Sequence, residues 1–283
     1  MKHAYLIIAH NEFEVLKRLV SALDDARNDI YVHIDKKVKT MPELHAKLSG
    51  LYVLDKRIDV RWGHVSQIKT ELLLFETALK NGPYEFYHLI SGTHLPLKSQ
   101  DEIHGFFGER AGFNLFSNLE KRDDDYQVTL KLHRVNLFLR GFASKNRFYR
   151  SFSQFMWKSC VAVQRWLHIS INNGMPFYWA NNWCSLSNDA VALLCEKKRE
   201  IIRVYRWSFC GDEFFVPSML MSSPMALSVI NEPDLLYNHI GRYNAVMLTE
   251  DDYDSLTQCS CLFARKFSAA NKGLIYKLLS HSE

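Results

Sequence analysis

The chain has 283 residues, 47% of them hydrophobic and 23% charged, long enough to bury a full core and balanced like an ordinary globular protein. Its net charge of +4, from 35 Lys and Arg against 31 Asp and Glu, is too small to imply a nucleic-acid partner. No segment offers about 18 uninterrupted apolar residues, so none is expected to span a bilayer.

The first predicted element is a buried parallel strand over 4–9, an apolar run that ends at His10. A helix follows on Val15, Leu16, Leu19, Val20 and Leu23, and a second strand at 30–34 closes on Asp35. This is a β-α-β unit, whose ligand groups belong at the carboxyl ends of the strands, where His10 and Asp35 stand. A short extended piece is predicted at 57–61, a helix over 66–79 with Ile68, Leu72, Phe75 and Leu79 inward, and a strand at 86–90 opening into a loop that carries Thr93 and His94. The alternation argues for an α/β layered fold. Neither a GxGxxG nor a GxxxxGK loop is present, and no GxSxG elbow, so a Rossmann dehydrogenase, a P-loop enzyme and a serine hydrolase are unsupported.

From 126 to 188 there is no Asp or Glu, while Lys131, Arg134, Arg140, Lys145, Arg147, Arg150, Lys158 and Arg165 all fall there. Such a strip suits an anionic partner. With Phe138, Phe142, Phe148, Phe152, Phe155 and Trp157 among the cations, two readings stand: contact with an anionic membrane surface, or a groove for an acidic glycan. A helix is predicted over 148–169, an ordered stretch over 177–187, and a further helix capped at Ser187 and Asn188. The aromatic content of 13% fits a sugar-stacking site or a thick aromatic core.

Asp212 and Glu213 precede an apolar helix over 214–221 in which Pro217 sits in the first turn. They either cap that helix or, at Glu213 between apolar neighbours, supply a partly desolvated general base. Arg265 and Lys266 lie between Phe263 and Phe267, a pair that would suit a fixed diphosphate or merely face water. Asp123, Asp124 and Asp125 invite a metal reading, but they sit in a polar run away from any core strand, as in a solvated loop. The six cysteines, all after residue 159 and without CxxC spacing, read as reduced thiols of a cytosolic protein; a disulfide framework is the alternative.

Seven of these pieces, in order, resemble the core-2/I-branching β-1,6-N-acetylglucosaminyltransferase and xylosyltransferase family: AYLIIAHNEFEVLKRLV (4–20), YVHIDKK (31–37), VRWGHVS (60–66), FYHLISGTHLPLKS (86–99), FYWANNWCSLS (177–187), GDEFFVPSML (211–220) and LFARKF (262–267). The resemblance implies a GT-A-like α/β fold with a mixed central sheet flanked by helices, in one domain: a nucleotide-binding half (1–118), a basic aromatic insertion (119–176) and an acceptor and catalytic half (177–283). It implies inverting, metal-independent transfer of a sugar, GlcNAc or xylose, from a UDP-sugar to a hydroxyl of a glycan acceptor, with a lipid-linked acceptor as one option. Glu213 falls on the catalytic base. Lys266, Arg242, Arg265, Asp35, Trp62, Ile8 and His10 fall at the nucleotide and diphosphate, and Arg134, Trp183 and Asp212 at the acceptor. The loop after the third strand departs from the family by carrying His94 in place of an Asp. No metal or other cofactor is expected. A cytoplasmic location is, either free or peripheral on the inner face of the membrane. The competing readings are a metal-dependent GT-A transferase and a non-catalytic binder of glycan or nucleotide.

Overall fold

The apolar run that opens the chain is buried on both sides: Ala4 and Leu6 enter one core while Tyr5, Ile7 and Ala9 enter a second. That is the burial expected of a central parallel strand with helices on both faces. The structure, a computed structural model, describes residues 2–122, 125–239 and 245–279.

Among the described residues there are twelve strands: β1 (His3–Ala9), β2 (Asn28–Ile34), β3 (Gly50–Val53), β4 (Phe86–Ser91), β5 (Leu95–Pro96), β6 (Asn114–Phe116), β7 (Glu120–Arg122), β8 (Phe177–Trp179), β9 (Cys184–Ser187), β10 (Val229–Asn231), β11 (Leu236–Asn238) and β12 (Phe263–Arg265). The principal sheet has seven of them in the order β10-β6-β9-β4-β1-β2-β3. It is parallel across β4-β1-β2-β3 and turns antiparallel at β9 on both sides. The helices are α1 (Phe13–Ala22), α2 (Ser66–Leu79), α3 (Gln100–Gly108), α4 (Tyr126–Leu132), α5 (Arg147–Trp166), α6 (Asn188–Glu196), α7 (Lys198–Tyr205), α8 (Phe215–Met221), α9 (Tyr253–Gln258) and α10 (Lys272–Leu279). The fold class is therefore the expected one, α/β with a mixed central sheet between helical layers.

Two smaller ladders position the functional groups. β12 runs antiparallel to β5 just beyond the carboxyl end of β4, which carries Arg265 and Lys266 to the strand ends. β7 pairs with β8, joining Arg122 to Phe177, and so closes the base of the long excursion between them.

Two boundaries differ from expectation. The extended piece at 57–61 is not a strand; the edge strand is β3, and residue 58 instead holds the end of β2, through Lys36 N–H to the Ile58 carbonyl (3.0 Å) and Ile58 N–H to His33 Nε2 (2.9 Å). The stretch 177–187 divides into β8 and β9, which belong to different sheets and are joined by a loop at 180–183.

Several core histidines are locked neutral. Burial lowers the pKa of His3 to about 3 and of His33 to about 4, and holds His88 and His94 well below the usual value. His88 bonds His3 (3.1 Å) and Ser185 (2.8 Å). Below about pH 6.5 the unfolded chain binds protons that these folded sites refuse, so they cost stability as pH falls through that range, about 1.4 kcal/mol per pH unit for each net proton. Asp212, pushed up to about 7, and Glu71, also raised, act oppositely, losing stability as pH rises, but are fewer. The melting temperature is therefore expected to fall between pH 6.5 and 4. A flat or rising profile in scanning calorimetry would contradict this account of the core.

Candidate functional site

The carboxyl ends of β1, β2 and β4 open into a cleft of about 600 Å³, closed on its other sides by the loops at 60–67, 139–144, 179–183 and 211–213 and by 265–266. Close packing builds its floor: Gly92 N–H bonds the Ile8 carbonyl (2.9 Å), and a Cβ on Gly92 would lie 2.8 Å from that of Ala9. Asp35 N–H extends the β1-β2 ladder to the Ala9 carbonyl (2.9 Å).

One wall is acidic. Cys210 enters the left-handed region (φ 52°), and Gly211–Glu213 form a short 3-10 turn ahead of α8. This turn is tied at three points: Cys210 N–H to the Gly63 carbonyl (3.0 Å), Phe214 N–H to that of Gly211 (3.1 Å), and Ala180 N–H to that of Glu213 (3.1 Å). Gly63 is required there, because its φ is +68° and a Cβ would stand 2.5 Å from the Phe209 ring. The two adjacent carboxylates then separate in role. Asp212 is buried and accepts from Gln67 Nε2 (2.7 Å); burial first, and the charge of Glu213 second, push its pKa up to about 7. Glu213 is about a third exposed (34%) and accepts at Oε2 from Lys131 Nζ (3.2 Å) and Trp179 Nε1 (3.1 Å). Neither caps α8, which has no side-chain cap, so the capping alternative falls. Glu71, behind Asp212, is held well above the normal carboxylate range by burial and then by Asp212, with Asn182 opposing.

Two cations line the same cleft. Phe263 and Phe267 are buried on either side of Arg265 and Lys266, and Phe267 N–H bonds the Thr93 carbonyl (3.0 Å), fixing the segment against the end of β4. The Arg265 guanidinium lies over Trp183, 5.1 Å from the ring centroid. Burial lowers its pKa to about 10; the pKa of Lys266 is lowered by burial and by the Arg265 charge. Among the described residues neither cation is in an ion pair with a carboxylate. Two desolvated positive charges without a counter-ion form a preorganised anion site.

The remaining expected residues are placed as follows. Ile8, His10, Asp35, Trp62, Trp183 and Asp212 all line this cleft together with Glu213, Arg265 and Lys266. Asp35 is buried and clamped by Lys37, through N–H to Oδ1 (2.8 Å) and Nζ to Oδ2 (2.6 Å). Trp62 stacks on Phe142 at 5.9 Å and meets Phe209 edge-on at 5.4 Å, which sets its ring as a shelf at the cleft wall. His94 lies below the cleft. It is fully buried, accepts from Ser91 N–H at Nδ1 (3.1 Å) and packs edge-on against Trp183 (5.1 Å).

Arg134 does not line the cleft. Its guanidinium donates to the carbonyls of His133 (3.2 Å) and Ile169 (2.7 Å), tying the end of α4 to the segment after α5. Arg140 is the excursion's arginine on the cleft wall. Arg242 lies outside the described residues, as do Asp123 and Asp124. Asp125 caps α4, accepting from Val128 N–H (2.7 Å). Among the described residues no group of three or more His, Cys, Asp or Glu side chains could hold a metal ion, and all six cysteines are free thiols.

Sequence reasoning missed Lys131 and Trp179, which hold Glu213, and Gln67, which holds Asp212. A signal did exist for Glu71: it stands three residues after Ile68, on the inward face of α2, where a carboxylate is out of place.

The profile described as Branch: Core-2/I-Branching enzyme matches residues 3–250. No curated protein matches the chain. Among solved structures the chain is similar to S. aureus TarS 1-349, with 11% identity, TM-score 0.40 and coverage of 100% of this chain and 65% of that one. It is also similar to mouse xyloside xylosyltransferase 1 in its apo form, with 10% identity, TM-score 0.39 and coverage of 93% and 96%. For a longer TarS structure the values are 12%, 0.40, 99% and 39%. The chain thus spans less than two thirds of either TarS chain.

Proposed function

Because the chain belongs to the core-2/I-branching enzyme family, whose members are glycosyltransferases, we propose that it moves a sugar from a UDP-sugar to a hydroxyl of a glycan acceptor, with inversion and without a metal. The observation that carries this reading is the presence, in the lining of one cleft, of the Glu213 carboxylate and of two desolvated cations that have no carboxylate partner among the described residues. In this reading 1–118 supplies most of the nucleotide side and 177–283 the base and the diphosphate clamp, around the excursion at 119–176.

The acceptor hydroxyl gives its proton to Glu213 as its oxygen attacks the anomeric carbon from the face opposite the nucleotide. Lys131 and Trp179 both donate to Oε2, which leaves Oε1 as the proton acceptor and fixes the carboxylate plane. The anomeric C–O bond breaks through an oxocarbenium-like state, and its electron pair goes to the β-phosphate oxygen. Lys266 and Arg265 meet that developing charge; they gain more from the departing diphosphate than from the intact donor, which is what lowers the barrier. Asp35 and Trp62 would hold the nucleotide beside Ile8 and His10. Asp212, tied to Gln67 and lining the cleft next to Glu213 in the chain, would contact the acceptor with Trp183.

Turnover of a UDP-sugar in excess chelator tests the proposal. Unchanged rates are expected. A rate abolished by chelator and restored by Mn²⁺ or Mg²⁺ would favour a metal-dependent transferase, and the absence of any turnover or donor hydrolysis would favour a binding protein.

A further inference from the structure

Helix α5 carries a second patterned surface that the transfer reaction does not use. Its Ser153, Trp157, Val161 and Gln164 face inward, where Trp157 and Val161 join Leu139, Phe209 and Cys210 in a small core. On the opposite side, Phe148, Phe152, Phe155 and Trp166 follow the spacing of one helical face. Three of them are far more exposed than a large aromatic needs to be: 89% for Phe148, 66% for Phe155 and 78% for Trp166. Val163 adds to the apolar surface, and Leu167 and Ile169 continue it past the helix end. Beside this stripe Arg147, Lys158 and Arg165 form an exposed column at intervals of eleven and seven residues, and among the described residues none has an acidic partner.

The helix is held rigidly in this attitude. Asn146 caps it by accepting from Tyr149 N–H (3.1 Å). Gln164 exchanges two hydrogen bonds with the Val135 backbone (2.8 and 2.9 Å), and Arg134 grips the Ile169 carbonyl.

An outward apolar stripe flanked by cations, on a 20-residue helix, matches the interfacial helices that lie in the plane of a bilayer, with aromatic groups at the acyl boundary and cations on anionic headgroups. A partner protein surface would need matching acids and a shaped cleft for each ring, whereas a lipid surface needs only the stripe and the charge. No described helix is long and apolar enough to cross a membrane, so α5 would lie on the surface rather than span it.

We propose that α5 docks this chain on an anionic lipid bilayer, inserting Phe148, Phe152, Phe155 and Trp166 while Arg147, Lys158 and Arg165 engage the headgroups. The inward side of α5 packs on the segment 139–144, which itself contributes to the cleft wall, so docking brings the cleft close to the lipid surface. Together with the glycosyltransferase reading, and resting on it, that placement suits an acceptor carried on a lipid. The docking itself is independent of the reaction and can stand if the transfer reading fails.

The test is co-sedimentation of the full chain with phosphatidylcholine vesicles, with and without phosphatidylglycerol, at low and high salt. The chain is expected to pellet with the anionic vesicles, to be released by salt, and to remain in solution with the neutral ones. The triple variant Phe148→Ser, Phe152→Ser, Phe155→Ser should bind at least about tenfold more weakly with an unchanged melting curve, and Lys158→Glu, Arg165→Glu should lose most of the binding to anionic vesicles. No pelleting at low salt, or equal pelleting of wild type and triple variant, overturns the proposal. So does light scattering that shows a dimer dissociated by the triple variant without vesicle binding, since the stripe would then be a contact between two copies.

Discussion

Replacing Glu213 by Gln is expected to lower kcat by about 10²–10⁴-fold, or roughly 3–5 kcal/mol in the barrier, while UDP affinity stays within about twofold. The substitution is nearly isosteric. The amide oxygen of Gln can take the place of Oε2 and still accept from Lys131 and Trp179, so the turn at 211–213 keeps its ties. Only the proton acceptor is lost. A purely structural role would give the opposite pattern, with a lower melting temperature, weaker nucleotide binding and kcat reduced in proportion. Full activity of Glu213→Gln would remove the general base from the account.

The second large effect belongs to Lys266. Changing it to Met should reduce kcat/KM by roughly 10²–10³-fold, the scale of losing one electrostatic contact at a charge that develops in the transition state. The same change should leave the empty protein as stable as wild type, or more so. Lys266 is desolvated beside Arg265, and both have lowered pKa values without a carboxylate partner among the described residues, so the charge is unfavourable until an anion arrives. The nucleotide then restores the balance. Thermal unfolding with and without UDP separates the two effects: wild type is expected to gain stability from UDP, and Lys266→Met to gain much less from an equal or higher starting point. A large loss of stability in the variant without UDP would show that Lys266 serves the fold.

What could be read from the sequence followed periodicity and local caps. Helix α2 begins and ends where its apolar spacing predicts, and α6 starts at the Ser187 cap, whose side chain accepts from Ala190 N–H (3.3 Å). β1 and β2 were legible as apolar runs because both faces are covered. The edge strand β3 was not: Gly50–Val53 is half-exposed and carries no alternation, while 57–61, where charged and apolar residues alternate, is held by its backbone and by Arg57, which donates to the carbonyls of Ile34 and Asp35 (3.1 and 2.7 Å). The basic aromatic strip was visible as composition, but not which way it faces. Trp157 turned inward and Phe155 outward by helical phase, and that sorting needs the helix to be docked.

The candidate site shows the same division. Glu213 and Lys266 stand out through local motifs and a family resemblance. Their surroundings come from contacts that no local pattern encodes: Lys131 lies 82 residues from Glu213, and Gln67 lies 145 from Asp212. Arg134 illustrates the converse. A basic residue in a basic strip reads as a ligand group, yet its carbonyl contacts make it a brace for α5.

The central claim is that one carboxylate acts across from a diphosphate held by protein cations, Arg265 and Lys266 among them, and not through a metal ion. A crystal structure with UDP bound in the presence of Mg²⁺ measures this directly. The account predicts β-phosphate oxygens within hydrogen-bond reach of Lys266 Nζ and the Arg265 guanidinium, the base against Asp35 and Trp62, and Glu213 across the space left for the sugar. A β-phosphate bridged to the protein through the metal ion, or UDP bound away from residues 265 and 266, would contradict it.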